Sequence, residues 1–249
     1  MKQTEGKMLG RRHAAVIAAA WTMAVGGIGG AQAYADDSAN VLQQQINEVL
    51  AKTQGGVQIS PTEIAWENGN VIMSFPEPGE MSAPAASPAA AKLEATVSAP
   101  EGTSPAAIAA AADDASADDA VDEGSTDDDP SGIVAAGSDS GCPTVTFGND
   151  FYCFYQYKNY GGRRIQFSEK YTMSNAVMLD KYDFENKTSS WSNKGGKIIY
   201  VAGRTVTGSN ASCNNYVNNK RPVLWEETNH SHSSSLGSLD NMADCFWTS

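Results

Sequence analysis

The run from Cys153 to Phe167, CFYQYKNYGGRRIQF, constrains this chain more than any other part of it. Phe154, Tyr155, Tyr157, Tyr160, Ile165 and Phe167 have the bulk and branching that suit a pleated surface, and Gly161 and Gly162 permit the positive φ that a tight reversal needs. The pattern predicts a hairpin turning at Asn159 to Gly162. Beyond it lie a cluster of carbonyl and hydroxyl side chains at Glu185 to Ser190, then Trp191, and a strand over Lys197 to Ala202 behind the turn Lys194-Gly195-Gly196. A polar stretch, Thr205 to Lys220, leads to Val223-Leu224-Trp225 and a closing Phe246-Trp247. Short strands with regular turn signals and no long helical period predict an all-β antiparallel sandwich for residues 142–249.

The upstream half is a different physical object. The formal charge of −12 belongs mostly to residues 77–141, with 14 acidic residues against one basic, whereas residues 142–249 hold 9 acidic against 11 basic. Acidity of this kind argues against nonspecific nucleic-acid binding. Residues 77–141 are rich in Ala, Pro, Ser, Gly and Asp and bury too little apolar area to offset the entropy of ordering, so they are predicted to be a disordered linker, with Pro105 to Ala112 the piece closest to a helix. Before them, Val41, Leu42, Ile46, Val49 and Leu50 predict one amphipathic helix within Asp36 to Gln54. Strands are expected at Val57 to Trp66 and Val71 to Phe75, around Glu67-Asn68-Gly69-Asn70. Helix and hairpin together make residues 36–76 a small proximal unit that is marginal alone.

Residues 1–35 read as a secretory signal. Lys2, Lys7, Arg11 and Arg12 precede an apolar, glycine-containing run, and Ala31-Gln32-Ala33-Tyr34-Ala35 offers small-x-small cleavage sites after Ala33 or Ala35. No later stretch is long and apolar enough to span a membrane, so the mature protein is expected outside the cell and not integral to a membrane. In an oxidising compartment the four cysteines imply two disulfides with three connectivities. Cys142 with Cys153 and Cys213 with Cys245 is the favoured pairing, the first pinning the entry to the leading strand and the second closing a long polar loop; a crossed arrangement stays open. Absent from the sequence are GxSxG, HExxH and a phosphate loop, and the scattered carboxylates Asp180, Asp183, Glu185, Glu226 and Glu227 form no recognisable catalytic pair, so no enzyme activity is expected.

Phe154-Tyr155 followed by Tyr160-Gly161-Gly162-Arg163 resembles the first hairpin of a βγ-crystallin Greek key, and Glu185-Asn186-Lys187-Thr188-Ser189-Ser190 resembles that superfamily's calcium signature. More closely, residues 142–249 resemble peptidase inhibitor family I36, secreted actinobacterial proteins that carry such a module behind a signal peptide. The resemblance implies two Greek keys packed face to face, and a second, more divergent signature at Asp240-Asn241-Met242-Ala243-Asp244-Cys245. It implies a secreted peptidase inhibitor, directed at metalloendopeptidases, with a secreted or host peptidase as partner. A rigid, disulfide-tied loop lowers the entropic cost of docking, which points to Ser212, Cys213, Asn214, Tyr216 and Val217. Glu185, Asn186, Ser189, Asp240, Asn241 and Asp244 are the candidate calcium ligands, since a hard cation takes oxygen donors and few carboxylates give modest affinity. The alternative is a non-enzymatic calcium-binding or cell-envelope module. A carbohydrate-binding stripe drawn from Tyr152, Tyr155, Tyr157, Tyr160, Trp191 and Trp225 is a third reading.

Overall fold

The computed structural model describes residues 32–115, 141–148, 150–169, 177–203 and 223–249. The first helix, α1 (Gln32–Lys52), turns Leu42, Ile46, Val49 and Leu50 onto the main core at a helical spacing. Three short strands follow, β1 (Val57–Ser60), β2 (Glu63–Trp66) and β3 (Val71–Ser74). The single strand expected over residues 57–66 is divided at Pro61 and Thr62, where proline has no N–H to give a ladder, and the β1–β2 register shifts just before, between Gln58 and Ser60. Two helices come next, α2 (Pro88–Ser98) and α3 (Pro105–Ala115). The remaining strands are β4 (Phe151–Tyr155), β5 (Arg164–Ser168), β6 (Val177–Met178), β7 (Ser190–Asn193), β8 (Ile199–Ala202), β9 (Trp225–Glu227), β10 (Ser231–Ser233) and β11 (Cys245–Thr248).

Among the described residues the strands form two antiparallel sheets, one ordered β1-β2-β3-β5-β4-β7-β10 and the other β6-β11-β8-β9. Their connectivity is not local. The third strand after the aromatic hairpin begins, β6, leaves β4, β5 and β7 to pair with β11, and β10 leaves β8, β9 and β11 to pair with β7. Each set of four strands thus lends its third strand to the other's sheet. Phe154 and Phe167 meet Phe246 across the gap, with ring centroids 5.1 and 4.7 Å apart. These contacts lie in one core cluster shared by both sheets and α1. The fold is therefore mostly antiparallel sheet with a small helical part toward the N-terminus, rather than wholly β.

Two expectations about the upstream half give way. Helix and hairpin do not form a separate proximal unit, because β3 pairs with β5 from Val71 opposite Phe167 to Ser74 opposite Arg164. An isolated helix and hairpin have too little core, and the open edge of β5 supplies the missing partner. Residues 77–141, expected to be a disordered linker, carry α2 and α3 in their first part; residues 116–140 lie outside the described set. Composition misleads here because alanine suits a helix that packs closely. Ser87 caps α2 by accepting from the Ala90 N–H at 3.2 Å, Pro88 occupies the first turn, and Ala90 lies against Ala65 and Ile72 of the sheet. At Gly69, φ is +93° and a Cβ would fall 2.7 Å from Leu93 Cβ, so the helix approaches to a distance only glycine allows.

Under α2 the outer face of the large sheet is polar and closed off from water. Glu63, Ser74, Glu94, Arg164 and Gln166 are all at most 1 % exposed. Gln166 Nε2 donates to Glu94 Oε1 at 2.5 Å, Arg164 Nη2 donates to Ser74 Oγ at 3.3 Å, and Glu63 accepts from Ser60 Oγ and from the Ser87 N–H. Burial pushes the Glu94 carboxyl up to about 7, against the hydrogen bond from Gln166 and the charge of Arg164, with Glu63 adding to the rise.

Candidate functional site

The hairpin between β4 and β5 is exposed at its tip and fixed at its base. Tyr157, Lys158 and Asn159 are exposed, while Tyr160 to Gly162 are buried. Asn159 and Tyr160 take φ of +53° and +58°, and at Gly162, with φ of +73°, a Cβ would lie 2.7 Å from the Tyr157 ring. No side chain fits there. The Tyr157 N–H donates to Gly161 O at 2.8 Å, the Asn159 N–H to Ser234 O at 2.8 Å, and the Gly162 N–H to Met81 O at 2.7 Å.

What locks the tip comes from the Glu185 to Ser190 loop. Ser189 Oγ donates to Gln156 O at 2.8 Å; Ser190 Oγ donates to Tyr157 O at 2.7 Å and accepts from the Tyr160 N–H at 3.1 Å. Ser190 was legible in the sequence only as the end of the hydroxyl cluster, and its bridging role depends on β7 lying beside β4.

The two stretches singled out as calcium signatures are brought side by side. The Asn186 N–H donates to Ala243 O at 2.8 Å, and the Asn241 N–H donates to Thr188 O at 2.9 Å. In each stretch the second residue donates to the fourth residue of the other, and both donors are left-handed, at φ of +53° and +57°. Asparagine tolerates that conformation better than most residues. Thr188 Oγ1 and Asp240 Oδ1 are buried oxygens with no hydrogen-bond partner among the described residues. Glu185 is half-buried and Asp244 buried, whereas Asn186 and Asn241 are exposed. No group of three or more His, Cys, Asp or Glu that could hold a metal occurs among the described residues, so any cation here would rest largely on neutral oxygens.

Cys142 and Cys153 form a disulfide that ties the approach to β4 onto the outer face of the sheet. Cys245, at the head of β11, is also disulfide-bonded. Cys213 lies outside the described residues, as do Ser212, Asn214, Tyr216 and Val217, the rest of the expected inhibitory loop. The aromatic residues do not form a stripe. Tyr152, Tyr155, Tyr160 and Trp191 are buried and Trp225 is half-buried, which leaves Tyr157 at 59 % exposure. Of the carboxylates considered for catalysis, Glu227 is fully buried, accepts from Trp225 Nε1 at 2.9 Å, and is raised well above the ordinary carboxylate range by burial.

With strands, disulfide and paired loops in place, the chain can be set against known families. Residues 135–213 match the family model of peptidase inhibitor family I36. No match to a curated protein or to a solved structure was found. The I36 segment is about a third of the chain and contains β4 to β8, the Cys142–Cys153 disulfide and the first of the paired loops. Neither of its sheets is complete within it, for β3 flanks β5 from upstream, while β10 and β11 pair with β7, β6 and β8 from downstream. Family I36 implies a peptidase-inhibitor role in general and a peptidase as partner. Among the described residues, no helix is long and apolar enough to cross a membrane.

Proposed function

We propose that the protein is a secreted inhibitor of metalloendopeptidases that presents a disulfide-tied loop around Cys213. The I36 match carries this reading. Its support in the fold is the anchoring of Cys245, whose strand is paired on one side with Met178 and on the other with Ala202. A loop tied to such a strand is held before it docks, and less conformational entropy is lost on binding. The exchange of β6 and β10 between the sheets supports the βγ-crystallin-like reading of the two four-strand units. Titration of the mature protein against thermolysin-like, subtilisin-like and trypsin-like peptidases is expected to show inhibition of the first class at micromolar concentration or below. Activity of all three left intact at that concentration would reject the reading. Tyr157→Ala should leave inhibition within about twofold, whereas a folded Cys213→Ser/Cys245→Ser variant should weaken it at least tenfold; the reverse order would move the inhibitory surface to the hairpin tip.

A second reading, calcium binding at the paired loops, is favoured by the two buried, unpartnered oxygens Thr188 Oγ1 and Asp240 Oδ1. Asp240, with Glu185 or Asp244 but not all three, would supply carboxylate oxygens, Thr188 and Ser189 hydroxyls, and Asn186 and Asn241 amide or backbone carbonyls. Calcium would act there as a structural tie between the loops. A site with so little charge belongs among extracellular modules of roughly 10⁻⁴ to 10⁻³ M affinity. Calorimetric titration of calcium-free protein should show binding in that range, weakened at least tenfold in Asp240→Asn and in Thr188→Val. Absence of heat in the wild type would rule the site out.

A further inference from the structure

A cleft of about 590 Å³ lies between α1 and the β4–β5 hairpin, within the size range of small-ligand sites. One stripe of α1 forms a wall, through Val41, Gln45, Glu48 and Lys52, and Pro76, Pro78 and Tyr157 supply much of the opposite side. Val41 and Tyr157 are 55 % and 59 % exposed, so apolar surface stands open along it.

The cleft carries charges of both signs. Lys52 Nζ, Arg163 Nη1 and Lys187 Nζ converge on the single carboxylate of Asp183, at 3.7, 3.5 and 3.3 Å. Three cations on one anion leave a local surplus of two positive charges. Arg163 is held in place by Nε donating to Gln156 Oε1 at 3.2 Å, with its guanidinium 5.7 and 5.9 Å from the rings of Phe75 and Phe184. Burial pulls this guanidinium below its ordinary value and Asp183 opposes the fall, so a second anion there would meet a charge already partly desolvated. Glu48, Glu77 and Glu80 also line the cleft, yet among the described residues none of them lies within ion-pair distance of the three cations. Positive charge exceeds negative around Asp183, and acidic groups line the same cleft without pairing with these cations.

We propose that this cleft is a binding site for the free C-terminal end of a short peptide. Its carboxylate meets Lys52, Arg163 and Lys187, its apolar side chains lie against Val41, Leu42 and Tyr157, and an amine or basic side chain faces Glu48, Glu77 and Glu80. Guanidinium and ammonium donors are the groups that recognise a carboxylate, and the acidic groups in the same cleft complement a basic group of the ligand.

The test is calorimetric titration of the full mature protein with the tripeptide Lys-Val-Leu as free acid, with its C-terminal amide, and with octanoate. The free acid is expected to bind, and the amide at least tenfold more weakly. Lys52→Gln/Lys187→Gln, which changes only exposed or half-buried ends, should weaken the free acid at least tenfold. Asp183→Asn should tighten it several-fold, because the competing carboxylate is gone and asparagine tolerates the φ of +54° at this position. Thermal midpoints of both variants accompany the titrations, and a variant that has lost its fold is replaced by the single Lys187→Gln. Equal binding of acid and amide, or weaker binding by folded Asp183→Asn, overturns the proposal. Octanoate binding as tightly as the tripeptide overturns the assignment to a peptide end and leaves an apolar carboxylate as the ligand.

Discussion

A chain from which residues 32–76 have been removed is expected to lose its cooperative unfolding transition, even though the I36 segment and every cysteine remain. Among the described residues, the main core cluster has twenty buried members, and Ile46, Val49, Ile64, Trp66, Val71, Met73 and Phe75 are seven of them. Burying a side chain of this size stabilises by about 1.5 to 3 kcal/mol, so seven together are on the order of 10 kcal/mol or more, comparable with the whole net stability of a domain at about 5 to 15 kcal/mol. Deletion also strips β5 of its β3 partner and uncovers the inner faces of Ile165 and Phe167. Differential scanning calorimetry of the mature and truncated chains checks this. A sharp endotherm in the truncated chain, within a few degrees of the parent, would mean that residues 77–249 fold without the upstream helix and hairpin.

The second large effect is one of pH. In the unfolded chain the Glu94 carboxyl ionises near 4.5, whereas in the fold it keeps its proton to about 7. Below 4.5 the group is protonated in both states and costs nothing. As pH rises from 4.5 to about 7 the unfolded chain alone releases the proton, and folding is penalised by roughly 1.4 kcal/mol per pH unit, reaching about 3 kcal/mol and staying there at higher pH. Glu94→Gln removes the titration and keeps a polar group beside Gln166. The variant's advantage in chemical-denaturation stability should therefore be smallest near pH 4, grow to about 3 kcal/mol by pH 7 to 8, and then level off. Glu227, also raised, contributes to both curves and cancels in the difference. Parallel curves for wild type and variant would show that Glu94 is not the titrating group.

Much of the β architecture could be read from residues alone. The aromatic hairpin is where alternation and two glycines place it, and β7, β8 and β11 fall on Trp191, on Lys197 to Ala202 and on Phe246-Trp247. Partnership was harder to see. Whether Val71 to Ser74 closes a small unit of its own or extends another sheet depends on which edge is free, and edge availability is a property of β5, ninety residues downstream. Composition hid α2 for a related reason, since a helix of alanines and one inward glutamate gains its stability from the sheet beneath it rather than from its own amphipathicity. At the paired loops the asparagine, threonine and serine pattern singles out two segments that the fold sets side by side. Their juxtaposition through Asn186 and Asn241, and the part played by Ser190 in bracing Tyr157 and Tyr160, are tertiary facts that no local pattern encodes.

The lending of β6 and β10 between the two sheets also sets an order of events in time. The larger sheet waits for Ser231 to Ser233 to pair with β7, and the smaller cannot be finished until the residues from Cys245 to Thr248 exist to pair with β6 and β8, so a nascent chain with its last strand still missing lacks the partner of both. Long-range pairings of this kind delay folding, because loop closure precedes the contacts that reward it. A chain threaded through a membrane pore from its N-terminus would for that reason stay slack for most of the passage, and would close as a unit only when its final residues emerged.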